Sequence, residues 1–129
     1  MAGISKGSFE HSSDIRPFLD MKGHMTVVDL DGMSAGRAVF EPGWRWSDHV
    51  KPIAGTDSCQ AAHAGYLMSG HLTVRMDDGS EQTFDPGDVM VVHPGHDAWV
   101  VGNEPCIMLD WQGALDYAKA RIGHEATST

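Results

Sequence analysis

The chain has 129 residues, 41% of them hydrophobic, which is enough for one modest core and too little for two domains. Asp and Glu number 18 against 9 Lys and Arg, and the net charge of -9 repels phosphate backbones and anionic lipid, so neither nucleic acid nor a membrane surface is an expected partner. There are 2 cysteines, no apolar leader over residues 1–7, and no apolar run near the about 18 residues of a membrane span, which points to a cytoplasmic protein without a disulfide framework.

Residues 1–24 mix Gly, Ser, His and charge around Ile15, Phe18 and Leu19 and read as an N-terminal arm laid on a sheet, with one short helical turn over 14–19. From Met25 onward, short β-branched runs bounded by Gly, Pro and Asp follow at close spacing. Strands are predicted over 25–30, 35–40, 44–51, 64–69, 71–76, 81–84, 88–92, 97–101 and 106–111. Asp31-Gly32 is a hairpin dipeptide between the first two, and residues 77–80 form another tight turn. With almost no helix between them, these runs predict an antiparallel sandwich or barrel over 25–112. The tail differs: 114–122 carries Leu115, Tyr117, Ala118 and Ile122 at helical spacing with Gly123 as a C-cap, so 113–129 is read as a short helix and a frayed end.

The candidate chemistry lies in three segments. In 43–51 an extended chain puts Arg45, Ser47, His49 and Lys51 on one face and Trp44, Trp46 and Asp48 on the other. That polar face is either solvated or lines a cavity, in which case His49 and Lys51 meet whatever is bound. His63 precedes 64–70, and Gly65, on the same face, leaves space beside the imidazole or else marks a bulge in an edge strand. His93 and His96 bracket Pro94-Gly95. His49, His63 and His96 thus supply three imidazoles from three separate strands, a set suited to a divalent transition metal (Zn, Fe, Ni or Mn) with open positions. Cys59 is a further thiolate candidate, but on an extended strand it stands on the order of 13 Å from His63. It joins only if 56–61 loops back; otherwise it is a small buried hydrophobe.

These residues resemble the small single-domain cupins, jelly-roll β-barrels in which two motifs supply ligands from inside. Gly43 and His49 fit the first motif, Lys51 stands where a second His is expected, and His63 stands seven residues before Gly70, in the place of the Glu. Gly87 and Gly95 fit the second motif, His93 takes its Pro position and Ala98 its His position, with His96 two residues earlier on the same face. The resemblance implies an all-β cupin-type jelly-roll β-barrel or sandwich holding one metal through His49, His63 and His96 and a small oxyanionic molecule in the barrel mouth. Arg45, Lys51, Tyr66 and Trp99 are the candidate substrate contacts, and Lys51 or Tyr66 the proton donor or acceptor. Oxygenase, isomerase and lyase chemistry all occur on this fold. The alternative is a non-catalytic binding or sensor module without metal, marked by a dry pocket filled with Met or Trp side chains. Sheet edges and faces left open by a jelly roll lead to the expectation of a homodimer.

Overall fold

The computed structural model describes residues 3–112. Among the described residues, nine strands form two antiparallel sheets: β1 (Asp14–Pro17), β2 (Gly23–Leu30), β3 (Met33–Phe40), β4 (His63–Ser69), β5 (Leu72–Met76), β6 (Glu81–Phe84), β7 (Val89–Val92), β8 (His96–Val100) and β9 (Cys106–Asp110). The larger sheet has the order β1-β2-β3-β9-β4-β7, and the smaller β6-β5-β8. This is the antiparallel sandwich that the alternation predicts, in the jelly-roll form that the resemblance implies. Inward positions such as Met25, Val27, Leu67, Met90, Leu72 and Met108 are buried between the sheets.

The β2–β3 hairpin turns at Asp31-Gly32, both in the left-handed region with φ of 56° and 84°, as a two-residue hairpin loop requires. Gly65 lies in β4 between β7 and β9, so it is not in an edge strand. A Cβ there would collide with the carbonyl oxygen of Leu109, so the glycine permits close approach of β9 and leaves no space for a ligand.

Two predicted elements differ. Residues 14–17 are not a helical turn but strand β1, paired with β2 from Asp14↔Val27 to Pro17↔His24. Pro17 forces Arg16 toward extended backbone, and Pro17 itself is tolerable only because β1 is an edge. Residues 44–51 are not a strand: the segment folds as two short helices, α1 (Trp46–His49) and α2 (Lys51–Ala54). The Asp97 carboxylate on β8 accepts the free Ser47 N–H at 3.1 Å, and His49 Nδ1 accepts the Arg45 N–H at 3.0 Å. Trp46, His49 and Val50, at helical spacing, face the interior together. Pro52 stands in the first turn of α2, where its missing N–H costs nothing. The helix expected over 114–122 lies outside the described residues.

Candidate metal centre

His63 opens β4 in the larger sheet, and His96 opens β8 in the smaller one. The loop before β4 brings a third group between them. The N–H of Cys59 donates to the His96 carbonyl at 2.7 Å, and the N–H of Gly95 donates to the Cys59 carbonyl at 2.7 Å, so Cys59 pairs with the start of β8 as a one-residue strand. Ser58 Oγ anchors the same loop on Asp77 Oδ2 at 2.9 Å. The loop-back that Cys59 needs is therefore present. Its Sγ lies 3.8 Å from His63 Nε2, and the ligand atoms of Cys59, His63 and His96 all lie within 4.8 Å of one another. All three residues are buried.

Both imidazoles are oriented from behind. His63 Nδ1 donates to Asp110 Oδ2 at 2.5 Å, and the other carboxylate oxygen of Asp110 accepts the Gln112 N–H at 3.0 Å. His96 Nδ1 donates to the His93 carbonyl at 2.8 Å. Each ring thus has its Nδ1 engaged, which leaves Nε2 as the nitrogen that can ligate. Burial pushes the Cys59 thiol up, but hydrogen bonds from His63 and His96 and the charge they carry outweigh it and hold the group at about 6. Burial pushes His63 down, yet the Asp110 carboxylate and the Cys59 sulfur raise it to about 10. Both directions favour a thiolate beside an imidazolium, and an ion between the sulfur and the nitrogen would take the place of the shared proton. Two nitrogens and one thiolate are a donor set that Zn²⁺ accepts, so the residues present fit a metal.

The remaining sequence candidates lie elsewhere. His49 is outside the cluster: its Nδ1 caps the start of α1, and its Nε2 faces Asp20 Oδ2 at 3.9 Å. The structure thus groups Cys59, and not His49, with His63 and His96, because α1 directs His49 toward Asp20. Arg45 stacks on the Trp99 ring at 4.4 Å and lies 3.7 Å from Asp97 Oδ2. Lys51 opens α2. Tyr66 is exposed, on the opposite face of β4 from His63 by strand parity. None of Arg45, Lys51, Tyr66 or Trp99 lines the cavity beside the cluster, so the substrate and proton-transfer roles expected of them have no support in the geometry. His93 is exposed and contributes its carbonyl only.

That cavity has a volume of about 30 Å³, room for roughly two water-sized molecules. His63 and His96 are its polar ligand side chains, and Trp44, Trp46, Met90 and Met108 give it an apolar wall. The indole N–H of Trp44 is buried with no acceptor among the described residues. The sequence offered little sign of Asp110 beyond its parity with Cys106 and Met108 in β9, which puts a carboxylate on the inner face.

Comparison with protein-family models gives no match, and comparison with curated proteins gives none. Solved structures do match. An RmlC-like cupin from Shewanella frigidimarina superposes with a TM-score of 0.56 at 17% identity, over 90% of this chain and 95% of that one. A protein with a double-stranded β-helix domain from Klebsiella pneumoniae gives 0.54 at 17% identity, over 91% and 94%. The oxalate decarboxylase of Lactobacillus farciminis, in a formate complex, gives 0.54 at 21% identity, over 81% of this chain and 32% of that larger one. The chain therefore has the small cupin jelly-roll fold.

Proposed function

We propose that this protein binds one divalent metal ion through Cys59, His63 and His96, with an open position toward a cavity that admits a very small neutral molecule. The observation that carries this reading is the convergence of one sulfur and two nitrogens from three separate segments to within 4.8 Å. The ion would supply Lewis acidity at its open position. The chain does the rest: Asp110 and the His93 carbonyl hold the two rings, the Trp44 and Met90 side of the cavity keeps bulk water out, and the Trp44 N–H is available to an acceptor atom on the bound molecule. Among the described residues no Lys or Arg lines the cavity, which favours a neutral molecule over an oxyanionic one.

The Trp and Met lining also favours a second reading, a binding or sensing module that performs no turnover. Elemental analysis of the full chain tests the metal. About one ion per chain is expected in the wild type and in His49→Ala, and none in Cys59→Ala, His63→Ala or His96→Ala, with folding checked by circular dichroism. Absence of metal after reconstitution would sink the proposal and leave a metal-free barrel. Loss in His49→Ala with retention in Cys59→Ala would restore the three-imidazole set.

A further inference from the structure

Cys59, His63 and Asp110 form a second pattern within the cluster, and this one needs no ion. The Cys59 Sγ lies 3.8 Å from His63 Nε2, and His63 Nδ1 donates to Asp110 Oδ2 at 2.5 Å. A nucleophile that faces a base, with the base held from behind by a carboxylate, is the order of groups that activates a thiol. The carboxylate keeps the ring proton on Nδ1, so Nε2 turns its lone pair to the sulfur.

The space beside these groups limits what the thiol can meet. The cavity that His63 and His96 line has a volume of about 30 Å³, far too small for an ester, an amide or a disulfide. Two polar groups on its wall make opposite demands. The Trp44 indole N–H is buried with no acceptor among the described residues, and an apolar occupant would leave it so. His96, whose Nδ1 donates to the His93 carbonyl, offers an acceptor at Nε2. An occupant that satisfies both is uncharged, has about two heavy atoms, and both accepts and donates a hydrogen bond. Hydrogen peroxide fits that description, and unlike water it carries a bond that a thiol breaks.

We propose that Cys59, His63 and Asp110 form a site at which hydrogen peroxide, bound between the Trp44 N–H and His96 Nε2, oxidises the Cys59 sulfur. The Cys59 proton passes to His63 Nε2 and the sulfur attacks one peroxide oxygen. The S–O bond forms as the O–O bond breaks, and the departing oxygen takes the proton from His63 and leaves as water. Sulfur gives up two electrons, peroxide gains them, and Cys59 becomes a sulfenic acid. Asp110 is a positioning residue that acts through the ring. A metal ion on the sulfur would occupy the same lone pair, so the reaction belongs to the metal-free chain and does not depend on whether an ion binds.

The test uses the full-length chain stripped with a chelator, exposed to hydrogen peroxide, quenched with a cyclic diketone that traps sulfenic acids, and read by peptide mass spectrometry. Cys106 is the internal control, since it is as deeply buried and stands at the other end of β9 from Asp110. Cys59 is expected to be trapped at least about a hundred times faster than Cys106, the lower end of what a positioned base contributes. His63→Gln is expected to abolish that difference and Asp110→Asn to reduce it at least about tenfold, with circular dichroism reporting that each is folded. Trp44→Phe keeps an aromatic ring and removes the donor, so it is expected to slow oxidation about tenfold relative to alkylation of the same sulfur. Oxidation of Cys59 no faster than of Cys106 overturns the proposal. Folded His63→Gln and Asp110→Asn chains that oxidise like the wild type overturn it too, as does a Trp44→Phe chain in which the ratio of oxidation to alkylation is unchanged.

Discussion

Asp110 is the residue on which the cluster turns, although it is not one of the three candidate ligands. Its carboxylate is buried, fixes the His63 ring through Nδ1, and is itself held by the Gln112 N–H. Asp110→Asn keeps the shape and removes the charge, so metal affinity is expected to fall about 10–100-fold while the fold persists. Competition with a chromophoric chelator measures this, and unchanged affinity would relegate Asp110 to packing. The two cysteines differ by the same local logic. Burial alone acts on Cys106 and pushes it up to about 12, so it remains a thiol. Cys59 has two imidazoles beside it and is held at about 6. In metal-stripped protein, mass spectrometry after brief alkylation is expected to find the adduct on Cys59 and not on Cys106, and metal is expected to suppress it. Equal labelling would mean that opening of the fold, and not ionisation, governs access.

Elements were legible where alternation was strong. β2 to β5 and β7 to β9 follow the predicted runs because each has one face in the core, and the period of two is then visible in residues such as Cys106, Met108 and Asp110, whereas the exposed β6 was marked by the turns that bound it. The helices α1 and α2 were hidden because eight residues with Trp at 44 and 46 satisfy alternation as well as Trp46, His49 and Val50 satisfy helical spacing. The contact that decides, Asp97 Oδ1 on the Ser47 N–H, spans fifty positions of sequence. Cys59 was hidden for a similar reason: its partner is the backbone of His96, and only the folded sheet brings the two together. Two substitutions test these element-level causes. Asp97→Ala removes the α1 cap and is expected to cost about 1 kcal/mol in chemical denaturation. Gly65→Ala sets a methyl group against the Leu109 carbonyl and is expected to cost about 1–3 kcal/mol or more, because backbone on both sides of β4 has nowhere to move.

At the scale of the molecule, the cluster is a link between the two sheets. His63 belongs to the larger sheet, His96 to the smaller, and Cys59 to the loop that bridges them. The sheets are otherwise joined by packing of inward side chains and by isolated bridges such as Arg45↔Trp99. An ion bound to all three residues would hold the native arrangement and find no equivalent site in the unfolded chain. Its contribution to stability then follows mass action, about 2.7 kcal/mol when free metal stands at a hundred times its dissociation constant. Thermal unfolding of the wild type should therefore shift upward on reconstitution and return on chelation, by several degrees for a domain of this size. Cys59→Ala should unfold at one temperature in both conditions, since two imidazoles alone hold the ion too weakly to matter. A wild type as indifferent to metal as that variant would show that the sulfur and the two nitrogens are held together by the Cys59–His63–Asp110 hydrogen-bond chain alone.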